Sequence, residues 1–200
     1  MKSLHREDLY SWSEFNEEKN IDFNSFLWVS KYGNIAFDPL PVSTHDLKHI
    51  ETLGGISWII ITNSDHIRDV ENIRAITGAK VAGPLAEKDN LAIKCDRYLS
   101  TGDDLISGLK TIELQGSKTP GELSFILDDT TLITADLIRA HKANELMLLP
   151  KEKLNDYEKA KESIAKLLEF KEIETILMGD GWHIFEGATK KLAKFYQQLA

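Results

Sequence analysis

Residues 116–136 read GSKTPGELSFILDDTTLITAD, and the fold turns on this stretch. Gly116-Ser117-Lys118-Thr119-Pro120-Gly121 is a run of turn formers between two apolar segments of strand length, Leu109–Leu114 and Leu123–Leu127. Asp128-Asp129 supplies a tight turn into a third strand, Thr131–Thr134, which runs out at Ala135-Asp136. A Thr-Pro-Gly turn alone is common. A turn after one strand, then a hairpin, then a strand ending in aspartate is far harder to obtain by chance.

Outward toward the N-terminus, strands are expected at Asn24–Ser30 and Asn34–Phe37, joined at Lys31–Gly33 into an opening hairpin. Asp38-Pro39 ends the second, because proline cannot donate to a ladder. Ser43 or Thr44 caps a helix carrying Leu47, Ile50 and Leu53, which Gly54-Gly55 stops. Ser57–Thr62 is a continuous apolar strand of the kind covered on both faces. After the polar turn Asn63–His66 a second helix is expected, with Ser64 or Asp65 as cap, Ile67, Val70, Ile73 and Ile76 inward, and Gly78 at its end. Lys80–Ala82 is a short strand. Strand, helix, strand is the crossover of a parallel sheet, where ligands gather at the carboxyl ends of strands, and the Asn63–Asp69 turn occupies such an end. Toward the C-terminus the pattern is helix (Leu154, Tyr157, Ile164, Leu168), strand (Ile173–Met178) and helix (Ala188, Leu192, Phe195, Leu199).

The 200 residues, 42% hydrophobic and 28% charged, suit one sizeable core, and with no repeat or linker a single domain over residues 1–200 is expected. Thirty-two acidic against 24 basic side chains give a net charge of −8, which disfavours nucleic acid and anionic membrane as partners. Cys95 is the only cysteine, so an intramolecular disulfide and a multi-cysteine metal site are both excluded, and a reducing compartment fits best. The charged N-terminus MKSLHREDLYSW lacks the apolar core of a signal peptide, and no apolar run approaches the ~18 residues of a membrane span. The expected location is the cytoplasm.

Three polar loops therefore stand at strand ends: 62–69 (TNSDHIRD), 116–121 together with Ala135-Asp136, and 179–182 (GDGW). Their order resembles the signature of the metallo-β-lactamase superfamily: an Asp after the opening hairpin, a T-H-x-H-x-D-H loop, G-H-T-P-G, a strand ending in G-D, and a late G-H-G. The resemblance covers nearly the whole chain and implies an α/β, four-layer αββα sandwich. Position by position, Asp38 matches the first Asp, Thr119-Pro120-Gly121 the T-P-G, and Asp136 the bridging carboxylate. Asn63 and Asp65 stand at the two leading histidines, Ile67 and Arg68 at the Asp-His, Lys118 at the third histidine and Asp180 at the last. His66 falls between ligand positions.

A two-zinc hydrolase needs roughly six protein ligands, and zinc favours nitrogen and sulfur donors. Only three of the matched ligand positions are carboxylates, Asp65, Asp136 and Asp180, while Lys118 and Arg68 add cations. An internal ion-pair network in the electrostatic role of the metals is the expected arrangement, with no cofactor; the alternative is one divalent ion on Asp65, Asp136 and Asp180. Asp65, His66, Lys118, Asp136 and Asp180 are the catalytic candidates, and Asn63, Arg68, Thr119 and Trp182 the ligand-binding ones. Arg139, His141 and His183 are further candidates for lining the pocket. His66 either turns inward or simply opens a helix facing solvent, and Lys118 is read as salt-bridged in preference to nucleophilic. The resulting function is a zinc-free, hydrolase-like protein that holds a small ligand or a protein partner in the remnant pocket. The alternative is a hydrolase of ester, lactone or thioester bonds. Assembly with a second copy of the chain stays open.

Overall fold

In the computed structural model, which describes residues 1–199, two sheets face each other and each carries helices on its outer side. The first sheet has seven strands in chain order: β1 (Lys2–Ser3), β2 (Leu9–Asn16), β3 (Ile21–Trp28), β4 (Ile35–Phe37), β5 (Trp58–Ile60), β6 (Lys80–Pro84) and β7 (Arg97–Leu99). It is antiparallel as far as β4 and parallel from there to β7. The second sheet contains β8 (Leu109–Leu114), β9 (Glu122–Leu127), β10 (Thr131–Thr134) and β13 (Thr175–Met178), in the order β13-β10-β9-β8. Between β10 and β13 the chain makes a separate hairpin, β11 (Ile138–Lys142) and β12 (Glu145–Leu148).

The period-two alternation of strands sorts the apolar residues into three layers of core. Phe26, Phe37, Ile60, Leu123, Phe125, Ile133 and Leu177 meet between the sheets. Their chain neighbours point outward: Leu27, Ala36, Ile59 and Ile61 pack with Ile50 of α1 (Thr44–Thr52) and Ile73 of α2 (Val70–Thr77). Ile126, Leu132, Ile176 and Met178 pack with Ile164 of α3 (Tyr157–Leu167) and Leu192 of α4 (Ala188–Gln198). The expected αββα sandwich is therefore the observed one. Ser43 caps α1, and Asp156 caps α3 by accepting the Lys159 amide. Asp156→Ala is expected to cost about 1 kcal/mol in denaturant unfolding, the usual value of such a cap.

Four expectations need correction. The chain opens before the first expected hairpin, because β2 pairs with β3 along all eight of its residues; β2 is exposed along its far half and so carries too few apolar residues to announce itself. The β11–β12 hairpin escaped for the same reason, and β7 is only three residues long. The second helix starts at Val70, and neither Ser64 nor Asp65 caps it; Ser64–His66 form a separate 3-10 turn whose cap is Asn63, and Arg68 takes a positive φ of 46° that no continuous helix allows. Ile76, expected inward, is exposed, because six residues beyond the buried Val70 it stands about 240° around the helix from it.

Candidate functional site

Strand direction assembles the site. β4 and β5 are parallel, β10 and β13 are parallel, and β8 and β10 both run antiparallel to β9. Their carboxyl ends deliver Asp38, the Asn63–His66 turn, Asp136, Asp180 and the Lys118 loop to one edge of the sandwich. Asn24 fastens the two sheets together there: its amide donates to Gly179 O at 2.8 Å and its side chain to Met178 O and Gly181 O at 3.0 and 2.9 Å. Gly181 has φ +90°, and a Cβ on it would lie 2.2 Å from Ala140 O, so a side chain there would break this junction.

Asp136 is the centre, almost wholly buried. Its Oδ2 accepts Asn63 Nδ2 at 3.0 Å and Lys118 Nζ at 2.9 Å and lies 3.4 Å from His66 Nε2, while its Oδ1 accepts Arg139 Nη2 at 2.7 Å. Burial alone would raise its pKa. His66, Lys118 and Arg139 outweigh that and hold the carboxyl well below its ordinary value.

His66 turns inward. Its Nδ1 donates to Asp38 Oδ2 at 2.8 Å, and Asp38 is itself fixed by the Thr62 amide at 2.8 Å and hydroxyl at 2.6 Å. With a carboxylate at each ring nitrogen, His66 is favoured as imidazolium; burial opposes this, but Asp38 and Asp136 raise its pKa. Lys118 bridges Asp65 Oδ2 at 2.7 Å and Asp136, and although desolvation works against it, these two carboxylates raise its pKa too. Arg139 joins Asp136 to Asp180 Oδ2, the latter at 3.1 Å. Arg68 spends Nη1 on Asn24 O and Asp38 O at 2.6 and 2.9 Å, and its Nη2 stands 3.8 Å from Asp180 Oδ1. The carboxylates Asp38, Asp65, Asp136 and Asp180 thus face the cations Lys118, Arg139 and Arg68 and the His66 ring, so the charges of the cluster largely offset one another.

These side chains border a pocket of about 330 Å³, with Asp65, His66, Arg68, Lys118, Asp136 and Asp180 as its polar lining and Phe23, Leu40 and Lys19 completing the wall. A larger groove by Arg74, Lys80 and Asp96 is remote from all the strand-end loops, and Arg74 and Asp96 already pair with each other there. Among the candidates, Asn63 is buried and bonded to Asp136, as above. Thr119 is buried, its hydroxyl has no partner among the described residues, and it borders a different hollow, near α3. Trp182 is 61% exposed and does not line the pocket: its amide is tied to Ala140 O and its indole points to solvent. His141 is exposed, and His183 packs against Phe26 with its pKa lowered to about 4 by burial and by His5.

Sequence reading missed Glu122. This wholly buried carboxyl lies behind Asp136, accepting Ser117 Oγ at 2.7 Å and the Leu137 amide at 3.0 and 3.1 Å. It therefore clamps the residue before Lys118 and the residue after Asp136. Burial and the charge of Asp136 push its pKa up to about 7. The available signal was a glutamate opening the apolar run Leu123–Leu127, directly after Gly121.

A family model described as metallo-beta-lactamase superfamily matches residues 1–199. The chain belongs to the metallo-β-lactamase superfamily. The fold agrees: a metallo-beta-lactamase from Pontibacter korlensis superposes with a TM-score of 0.75 at 15% identity, covering 98% of this chain and 97% of that one. The mono-zinc form of FIM-1 from Pseudomonas aeruginosa gives 0.73 at 14% identity, covering 95% and 90%. In sequence, the chain is 35% identical over 115 residues to hydroxyacylglutathione hydrolase of Cereibacter sphaeroides, an alignment that takes in 54% of this chain and 44% of that enzyme. The chain thus spans less than half the length of that curated relative.

Membership in the superfamily implies zinc, and the donors present do not fit a zinc centre. Among the described residues no group of three or more His, Cys, Asp or Glu side chains is disposed to hold a metal ion. The space between Asp65 and Asp136 is bridged by the Lys118 ammonium, both nitrogens of His66 face carboxylates, and Asp136 is engaged on both oxygens. A divalent cation on these carboxylates would have to displace a lysine and stand beside two arginines.

Proposed function

We propose that this protein has exchanged the superfamily's metal centre for an internal ion-pair network and uses the remaining pocket to bind a small anionic ligand in a cytoplasmic setting. The carrying observation is the Lys118 ammonium, 2.7 Å from Asp65 and 2.9 Å from Asp136. A cation on that spot supplies the neutralisation that a metal would. An ammonium has three donors, and two are spent on these carboxylates, which leaves one for a ligand. Arg68 Nη2 and Lys19 lie on the same pocket and add to its preference for an acceptor. Asp136 and Asp38 each accept three hydrogen bonds, so neither is poised to take a proton from water.

The test is metal content after purification without chelator. The expected result is far less than one metal per chain and an unfolding temperature unchanged by added chelator. Stoichiometric zinc, manganese or iron overturns the proposal.

The match to hydroxyacylglutathione hydrolase favours a second reading, hydrolysis of an ester, lactone or thioester bond at the same pocket. That reading requires turnover on a panel of such substrates that Asp136→Ala abolishes. Activity that survives the substitution excludes this site as its source.

A further inference from the structure

One carboxylate oxygen in the pocket is left over. Asp180 gives Oδ2 to Arg139, but its Oδ1 is buried and has no hydrogen-bond partner among the described residues. The nearest cation, Arg68, offers Nη2 at 3.8 Å, too far for a hydrogen bond, and its Nη1 is already fixed on two backbone carbonyls. An unspent acceptor, closed to solvent in this structure, and an unspent donor therefore stand side by side in two residues that line the pocket. The Lys118 ammonium, with one donor free, lines the same pocket, as do the apolar Phe23 and Leu40.

Resting on the ligand-binding reading above, we infer that the Arg68–Asp180 pair selects a ligand carrying a neutral group that both accepts and donates, a carboxamide or a hydroxyl, alongside a carboxylate held by Lys118. An ester oxygen satisfies Arg68 but gives Asp180 nothing. A carboxylate at this position would satisfy Arg68 but bring no donor for Asp180, and an ammonium would satisfy Asp180 but bring no acceptor for Arg68. Only a neutral donor–acceptor group meets both. A volume of about 330 Å³ is enough for a short chain that carries both groups.

Calorimetric titration of the purified protein with four short carboxylates tests this: succinamate, 4-hydroxybutyrate, monomethyl succinate and butyrate. All carry one carboxylate; the first two add a donor, the third only an acceptor, the last neither. Succinamate, 4-hydroxybutyrate or both should bind at least about tenfold more tightly than the other two, because a buried polar group left unpaired penalises the analogue that cannot reach it. Which of the two binds more tightly separates carboxamide from hydroxyl. In Asp180→Ala the preference should collapse to within about twofold while binding through Lys118 persists. Equal affinity of the wild type for all four overturns this inference and leaves the ligand-binding reading in place. Absence of binding by all four overturns both.

Discussion

Asp136→Ala should lose about 3–5 kcal/mol of unfolding free energy, the scale expected when one member of a buried charge cluster is removed. The carboxylate is 1% exposed and answers His66, Lys118 and Arg139 together. Deleting it takes the buried shared partner from all three, leaving His66 with Asp38, Lys118 with the exposed Asp65 and Arg139 with Asp180, and it leaves the Asn63 amide without its acceptor. Asp65→Ala provides the contrast: that carboxylate touches the same lysine, but its side chain is 53% exposed and water replaces it, so the loss should stay below about 1 kcal/mol. Urea unfolding of the two variants beside the wild type measures the difference. Equal losses would mean that Asp136 is not the neutralising centre of the network.

Stability should peak near pH 5 and fall by about 3 kcal/mol between there and pH 8, with Glu122 as the main cause. Its pKa rises from the model-compound value of 4.5 to about 7 on folding, so between those values the native state binds more protons than the unfolded chain. Stability must then decline as pH rises through that window, and a shift of this size is worth about 3 kcal/mol. His66 acts in the same direction: its pKa is raised on folding, so its contribution is complete below pH 6.5 and is lost as pH climbs through the folded value. Asp136 sets the other flank, because its lowered pKa gives a contribution that is present above about pH 4 and disappears on acidification. Glu122→Gln keeps the shape and most of the hydrogen bonding of the protonated acid. It should be close to neutral at pH 5 and stabilising by about 2–3 kcal/mol at pH 8, flattening the alkaline limb of the profile. Thermal unfolding of both proteins across pH 4–9 gives the comparison, and parallel curves would remove Glu122 from the account.

What could be read from sequence followed burial. Leu123–Leu127, Thr131–Thr134 and Ile173–Met178 form strands covered on both faces, and continuous apolar runs of that length have few other uses. β2 and the β11–β12 hairpin have one wet face, and their polar residues hide the alternation. The site was legible where loop order alone located a residue, as for Asp38, Lys118, Asp136 and Asp180. It was obscure where conformation decided. The positive φ of Arg68 ends the 3-10 turn early and sends its guanidinium back to the Asn24 and Asp38 carbonyls, while His66 rotates between two carboxylates instead of opening a helix. Glu122 was obscure for a different reason: a glutamate is almost never fully buried, and nothing local to it in the sequence suggests the Ser117 and Leu137 partners that make burial tolerable.

The bridging ammonium of Lys118 also bears on how easily the arrangement could be undone. Replacing that lysine by a histidine would bring back one zinc-type donor, yet it would free Asp65 and Asp136 from their shared counter-charge while Asn63, Arg68 and Asp180 still occupied the remaining ligand positions. A change at Arg68 or Asp180 meets the same obstacle, since each faces the other and Asp180 also pairs with Arg139. Under the proposed exchange, a single substitution removes a charge partner before any metal is held, so a metal centre returns only through several substitutions together.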